Sequence, residues 1–216
     1  LFCLSKRYKK FLGYGMIGEL IGTSSLRLPI FIANEYFSKQ LAAYYGVVFR
    51  IAITPIGIIL GNVAQIFMQQ ISYNRKNDLP SFNLFIKYVI CLFLVGVLGC
   101  IIVIMFGHDL IIWLFTEKYE TVAILLVDIL PYIFMLTVIS PLTSVLNVFE
   151  KQEYTFYNKI AFFIASAGCF FYGAYIQDFF LAVQAFAIVM AVIYSIIFLE
   201  IFIILHNNKL YLLKTF

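Results

Sequence analysis

The chain has 216 residues, 63% of them apolar and 12% charged, with a mean hydropathy of +0.99 and a formal net charge of +4. Soluble domains carry roughly 25% charged residues, so this composition excludes an ordinary water-soluble domain and indicates an integral membrane protein. The basic residues are spread through short connections rather than gathered in one patch, which argues for membrane topology and against a nucleic-acid partner.

The apolar stretches are long, unalternating and rich in Leu, Ile, Phe and Gly, whereas a membrane barrel shows segments of about ten alternating residues. The expected fold class is therefore an all-α integral membrane protein with six transmembrane helices. Four cysteines, Cys3, Cys91, Cys100 and Cys169, fall in or beside apolar spans without metal-like or redox spacing, and read as buried packing residues. The chain opens on Leu1 and its first ten residues lack a signal-peptide pattern, so the expectation is a C-terminal piece of a longer protein.

Residues 1–10 form a basic cytoplasmic lead-in with Lys6, Arg7, Lys9 and Lys10. The first span is expected at 11–32, with Glu19, Thr23 and Arg27 on one side, Gly15, Gly18 and Gly22 nearby to admit a close neighbour, and a kink at Pro29. The second is expected at 37–72, with a kink at Pro55. In it Arg50, Thr54, Gly57, Gly61 and Gln65 follow at steps of four, three, four and four, one stripe on a 3.6-residue helix. An arginine in such a span costs about 2.5–3.5 kcal/mol on insertion scales, and is tolerated facing a bundle interior or a watery cavity. Arg50 lies about thirteen residues past Phe37, too deep for easy snorkelling to the interface.

A very apolar third span at 82–106 is expected to face lipid, followed by an interfacial turn at 107–120 with Trp113 and Tyr119 at headgroup level. The fourth span, 122–149, carries Thr137, Ser140, Ser144 and Asn147 as a second polar stripe, interrupted by Pro131 and Pro141 as in helices that line cavities. The fifth and sixth spans are expected at 160–175 and 179–205, the transmembrane lobe closing at 206 and a cytoplasmic tail following at 207–216. Asp128 and Glu200 lie about two turns from span ends and are expected to reach headgroups.

Six spans with both ends on one side place eleven Lys or Arg residues on that side and only Lys39 and Lys118 on the other. The positive-inside rule then makes both termini cytoplasmic, with no more than a lone Lys in any of the three connections on the far side. No catalytic set is visible. His108 and His206 fall on opposite sides, no metal cluster or glycine-rich phosphate loop is present, and no cofactor is expected, so the chain reads as a transport protein rather than an enzyme.

The stretch Tyr45 to Ser72, YGVVFRIAITPIGIILGNVAQIFMQQIS, resembles the polysaccharide flippases of the multidrug/oligosaccharidyl-lipid/polysaccharide exporter superfamily, with Gly46, Arg50, Pro55, Gln65 and Phe67 at the matching positions. FGHDLIIWLFTEKYE, from Phe106, is similar to that family's turn, though Thr116 stands where glycine is usual, and ISPLTSVLNVFEKQ, from Ile139, is similar to its partner helix through Pro141 and Asn147. The resemblance implies the second six-helix lobe of a two-lobe transporter, whose other lobe would precede it in the same chain. It also implies a bacterial cytoplasmic (inner) membrane and an undecaprenyl-diphosphate-linked oligosaccharide substrate, moved by alternating access for O-antigen (lipopolysaccharide), capsule or exopolysaccharide assembly.

On that reading Arg50 and Arg27 neutralise the diphosphate, Asn62, Gln65 and the Thr/Ser stripe of the fourth span offer hydrogen bonds to sugars, and Thr54 and Asn147 are further candidate substrate contacts. Glu19 is either an ion-pair partner of an arginine or a proton site, and the coupling ion is a proton or sodium. Two other functions fit the same spans: a multidrug antiporter of the same superfamily, which would use cavity carboxylates for cationic drugs, and a membrane-embedded polysaccharide polymerase or glycosyltransferase, which would carry a larger extramembrane loop. An inactive remnant is a third possibility.

Overall fold

A computed structural model describes the backbone of residues 2–115 and 117–214 and the side chains of residues 16–115 and 118–207. Among them there is no strand. Helix α1 (Phe2–Tyr36) is followed by α2 (Lys39–Val48), a π-helical turn (Phe49–Ile53) and α3 (Thr54–Lys76), which together make one long rod. Then come α4 (Phe82–Phe115), a short 3-10 turn, α5 (Glu120–Asp128), α6 (Leu130–Ile139), a second 3-10 turn (Ser140–Thr143) and α7 (Ser144–Val148). The chain closes with α8 (Gln152–Ile176) and α9 (Phe179–Lys214).

Six stretches are long and apolar enough to cross a membrane: Met16–Tyr36, Lys39–Lys76, Phe82–Phe115, Leu130–Val148, Gln152–Ile176 and Phe179–Asn207. All six overlap the expected spans, but several boundaries differ. The third helix does not stop at Phe106; it runs through Gly107 to Phe115, because Leu110 to Phe115 is itself a strong apolar helix former and Ile111 is buried against the bundle. The expected interfacial turn is reduced to residues after Phe115, while Trp113 is 80% exposed at the end of α4. The fourth span is broken into α6, the 3-10 turn and α7, and α5 is a separate short helix ahead of it. Pro131 and Pro141 each stand at the start of a new element, where a missing amide does the least harm.

Sharp connections set the up-and-down order. Ser38 takes an extended conformation (φ −154, ψ 150) and its side chain accepts a hydrogen bond from Leu41 N at 3.1 Å, which starts α2. Asp78, Glu150 and Gln177 have positive φ of 54, 59 and 64, and each closes a reversal between successive spans. Contacts sort into two ends. At one, Phe37 meets Phe179 and the Tyr44 hydroxyl donates to the Lys118 carbonyl at 3.0 Å. At the other, Phe82 packs on Phe202 and His206, and Arg75 donates to the Val148 carbonyl while its guanidinium lies 5.1 Å from the Phe149 ring centroid. Each span is therefore traversed from one end to the other.

Helices α1 and α8 run parallel. Pro29, within α1, has no amide to give the Ser25 carbonyl four residues back, and the helix nevertheless runs on to Tyr36 instead of ending there. The missing donor is supplied from the neighbour: Ser166 Oγ of α8 donates to Ser25 O at 2.8 Å, with Ser166 fully buried. Two turns nearer the start of α8, Lys159 lays its stem over Gly18 and Gly22, where an added Cβ would meet Lys159 Cδ at 3.5 and 3.4 Å. The small-residue row of the first span thus serves a close helix neighbour; Gly15 and the basic lead-in fall outside the described side chains.

Candidate functional site

The stripe of the second span is real and faces outward. Arg50, Thr54, Gly57, Gly61, Asn62 and Gln65 are all exposed, while Leu60, Phe67 and Ile71 on another side of the same helix are buried. A Cβ added at Gly57 or Gly61 would meet nothing within 4 Å, so these glycines mark open space and not a helix crossing within this chain. Arg50 lies in the π turn. Pro55 has no amide, and the wide turn accommodates it: the amide of Thr54 and its hydroxyl (3.2 Å) both point to the Phe49 carbonyl five residues back. The expected kink at Pro55 thus takes the form of a π turn just before it.

Depth separates the charged groups. Arg50 is eleven residues past Lys39, or about 16 Å along the helix, close to the middle of about 30 Å of hydrocarbon. Arg27 is nine residues before Tyr36, or about 13 Å from the same end. Both are exposed, and among the described residues neither has an ion-pair or hydrogen-bond partner. Glu19 lies a further eight residues away, and it pairs with neither arginine. Its carboxylate receives Lys159 Nζ at 2.5 Å, and Lys159 is within α8, which begins at Gln152 and so ahead of the start expected at 160. The pair ties α1 to α8, which corrects the expectation of an arginine partner for Glu19: the sequence stripe could not show a cation 140 positions away.

Two further carboxylates, those of Asp128 and Glu200, are also engaged. Asp128 Oδ1 accepts from Gln184 Nε2 at 2.9 Å, linking α5 to α9, and Glu200 Oε2 accepts from Asn158 Nδ2 at 3.0 Å, linking α9 to α8. Each therefore serves as an interhelical clamp. Asp128 Oδ2 is buried without a partner.

The polar stripe of the fourth span is turned inward. Thr137 and Ser144 are buried, and their hydroxyls donate to the Ile133 and Pro141 carbonyls at 2.8 and 3.0 Å; Thr143 does the same to Ser140 O at 2.7 Å. The proline breaks and the 3-10 turn change the helical register, so a stripe drawn on an ideal helix does not persist. Asn147 alone of the set is exposed, and it lies beside Val148, whose carbonyl is reached by Arg75. Ten residues of α3, about 15 Å, separate Arg75 from Gln65, so Asn147 does not join Asn62 and Gln65.

Of the cysteines, Cys91 is exposed and Cys100 and Cys169 are half-buried, all with free thiols, where burial had been expected; Cys3 lies outside the described side chains. His108 beside Asp109 and His206 between Phe82 and Phe202 stand at opposite ends of the bundle. Among the described residues no three His, Cys, Asp or Glu side chains come together as a metal site.

Two kinds of outer surface result. Along the middle of α4 and along much of α9 it is apolar, as at Leu94, Leu98, Ile102, Val192, Ile196 and Ile203. Along α2–α3 it carries a guanidinium, a hydroxyl, two amides and bare glycine backbone within a stretch long and apolar enough to cross a membrane. Hydrocarbon solvates such groups poorly, so this face is one for water or for another polar surface. Comparison with protein families, with curated proteins and with solved structures finds no match to this chain.

Proposed function

We propose that this chain is one six-helix lobe of a membrane transporter that carries an anionic amphiphile across the bilayer by alternating access, with the exposed face of α2–α3 lining the route. The observation that carries the reading is the imbalance of free charge: Glu19, Asp128 and Glu200 are each tied to a neighbouring helix, whereas Arg27 and Arg50 stand exposed and unpaired among the described residues. Free cations at membrane depth suit an anionic cargo. A cationic drug would call for the opposite arrangement, which disfavours the antiporter.

The resemblance of Tyr45 to Ser72 to polysaccharide flippases narrows the cargo to an undecaprenyl-diphosphate-linked oligosaccharide, with a second lobe completing the cavity and the cytoplasmic membrane of a bacterium as the setting. In this scheme the guanidinium of Arg50 forms paired hydrogen bonds to the diphosphate. Gly57 and Gly61 leave room for the cargo to lie against the backbone, and Asn62 and Gln65 meet sugar hydroxyls. The Thr54 hydroxyl, already donating to Phe49 O, is left to accept. The lysines and arginines gathered at the Arg75 end then face the cytoplasm.

The test is surface glycan display by cells that depend on the full-length protein. Arg50→Ala removes a charge-assisted hydrogen bond worth about 1.5–3 kcal/mol, or a ten- to hundred-fold loss of transport, with membrane insertion unchanged; Arg50→Lys keeps part of it. Full display by an inserted Arg50→Ala protein overturns the proposal.

A further inference from the structure

A crevice of about 190 Å³ lies between α3, α4 and α6, walled by Leu60, Gly96, Gly99, Cys100, Ile133 and Thr137 among others. Thr137 bears the one hydroxyl in its lining, and that hydroxyl is spent on the Ile133 carbonyl. Nothing is left to reward a polar ligand, and water has too few partners to settle there. By comparison, an apolar cavity of about 150 Å³ suffices to bind a benzene-sized hydrocarbon.

Shape and position narrow the occupant. The crevice follows α4 from Val95 to Val103, eight residues or about 12 Å, so it is long in the direction of the helix, midway along the span. Leu94, Leu98 and Ile102, each next in sequence to a lining residue of α4, are exposed on the apolar exterior of that helix, where the surrounding solvent in a membrane is lipid tails. Its floor is uneven. A Cβ added at Gly96 would come within 3.1 Å of the Phe134 ring, whereas one added at Gly99 would meet nothing within 4 Å. The narrowing at Gly96 and Phe134 favours a slender unbranched chain over a methyl-branched one.

We infer that this crevice is a binding site for one acyl chain of a bilayer phospholipid, lying along α4 over Gly99. The chain fills the gap beside Leu60 and steadies α3, the helix that carries the polar stripe. The inference needs only that the spans sit in a bilayer, and it stands whatever the protein transports.

The experiment reconstitutes the full-length protein in phosphatidylcholine vesicles containing a phosphatidylcholine with a photoactivatable diazirine midway along one acyl chain. Adducts are mapped by mass spectrometry after irradiation. Labelling of the crevice walls should exceed labelling of the exposed α9 row at Val192 and Ile196 by about fivefold, which corresponds to roughly 1 kcal/mol of preferential residence.

Gly99→Phe, which has room at its Cβ, should bring crevice labelling down to the α9 level. So should Ile59→Trp, placed on the α3 wall at a side chain already 62% exposed. Val192→Phe on α9 should leave crevice labelling unchanged. Equal labelling of both faces, or crevice labelling that survives both filling variants, overturns the inference. So does displacement of the label by stoichiometric polyprenyl phosphate, or its exclusion by cross-linking of Cys100 between two copies.

Discussion

Replacing Ser166 with alanine tests how the first span survives its proline. The Ser166 hydroxyl is the donor seen at the Ser25 carbonyl, which Pro29 has left without its helical amide. With Ser166 and Ser25 both buried, no water replaces the lost bond. An unsatisfied carbonyl costs about 1–3 kcal/mol, and interhelical bonds within membranes have measured at up to about 1.7, so the expected loss is about 1–2 kcal/mol. For a chain of this size that corresponds to a fall in Tm of about 2–8 °C, read by thermal unfolding in detergent or lipid nanodiscs.

The mechanism makes a sharper claim in the background of Pro29→Ala. There the new amide at position 29 takes the Ser25 carbonyl, so Ser166→Ala should lose most of its effect. A double-mutant cycle should give a coupling of about 1 kcal/mol. Equal costs of Ser166→Ala with and without Pro29 would refute the account, as would no change in Tm.

Two further substitutions separate packing from function. Gly173→Ala should be the more damaging, since its Cβ would fall 2.3 Å from the Ala182 Cβ and 3.0 Å from the Asp178 carbonyl; overpacking of this kind costs about 1–3 kcal/mol and should lower Tm with α8 and α9 pushed apart. Gly57→Ala and Gly61→Ala meet nothing in this chain and gain helix propensity, so Tm should hold or rise by an amount reflecting about 0.4–1 kcal/mol each. The bulkier Gly57→Leu should leave the fold intact but cut glycan display; unchanged display would place Gly57 off the transport route.

Features set by composition and local period were legible in the sequence. Six spans follow from apolar length, and the Arg50-to-Gln65 stripe follows from helical spacing because α3 is regular beyond Pro55. The misplaced features depend on distant residues. Nothing near Glu19 announces Lys159, and nothing near Pro29 announces Ser166. The Thr137-to-Asn147 stripe fails where the chain leaves the α-helical period at Ser140 to Thr143, so a pattern valid for one geometry was projected onto another. Gly107 looked like the end of a helix, but the apolar run after it had a surface to pack on.

The π turn at Phe49–Ile53 makes the second span two rods joined by a compliant link. Its hydrogen bonds reach one residue farther than those on either side, so bending there exchanges one bond pattern for another and strips no donor bare in the membrane. Arg50 lies within this wider turn, so the azimuth of its guanidinium is set by the π geometry, while Thr54, Gly57 and Gly61 follow the regular α-helical period beyond it.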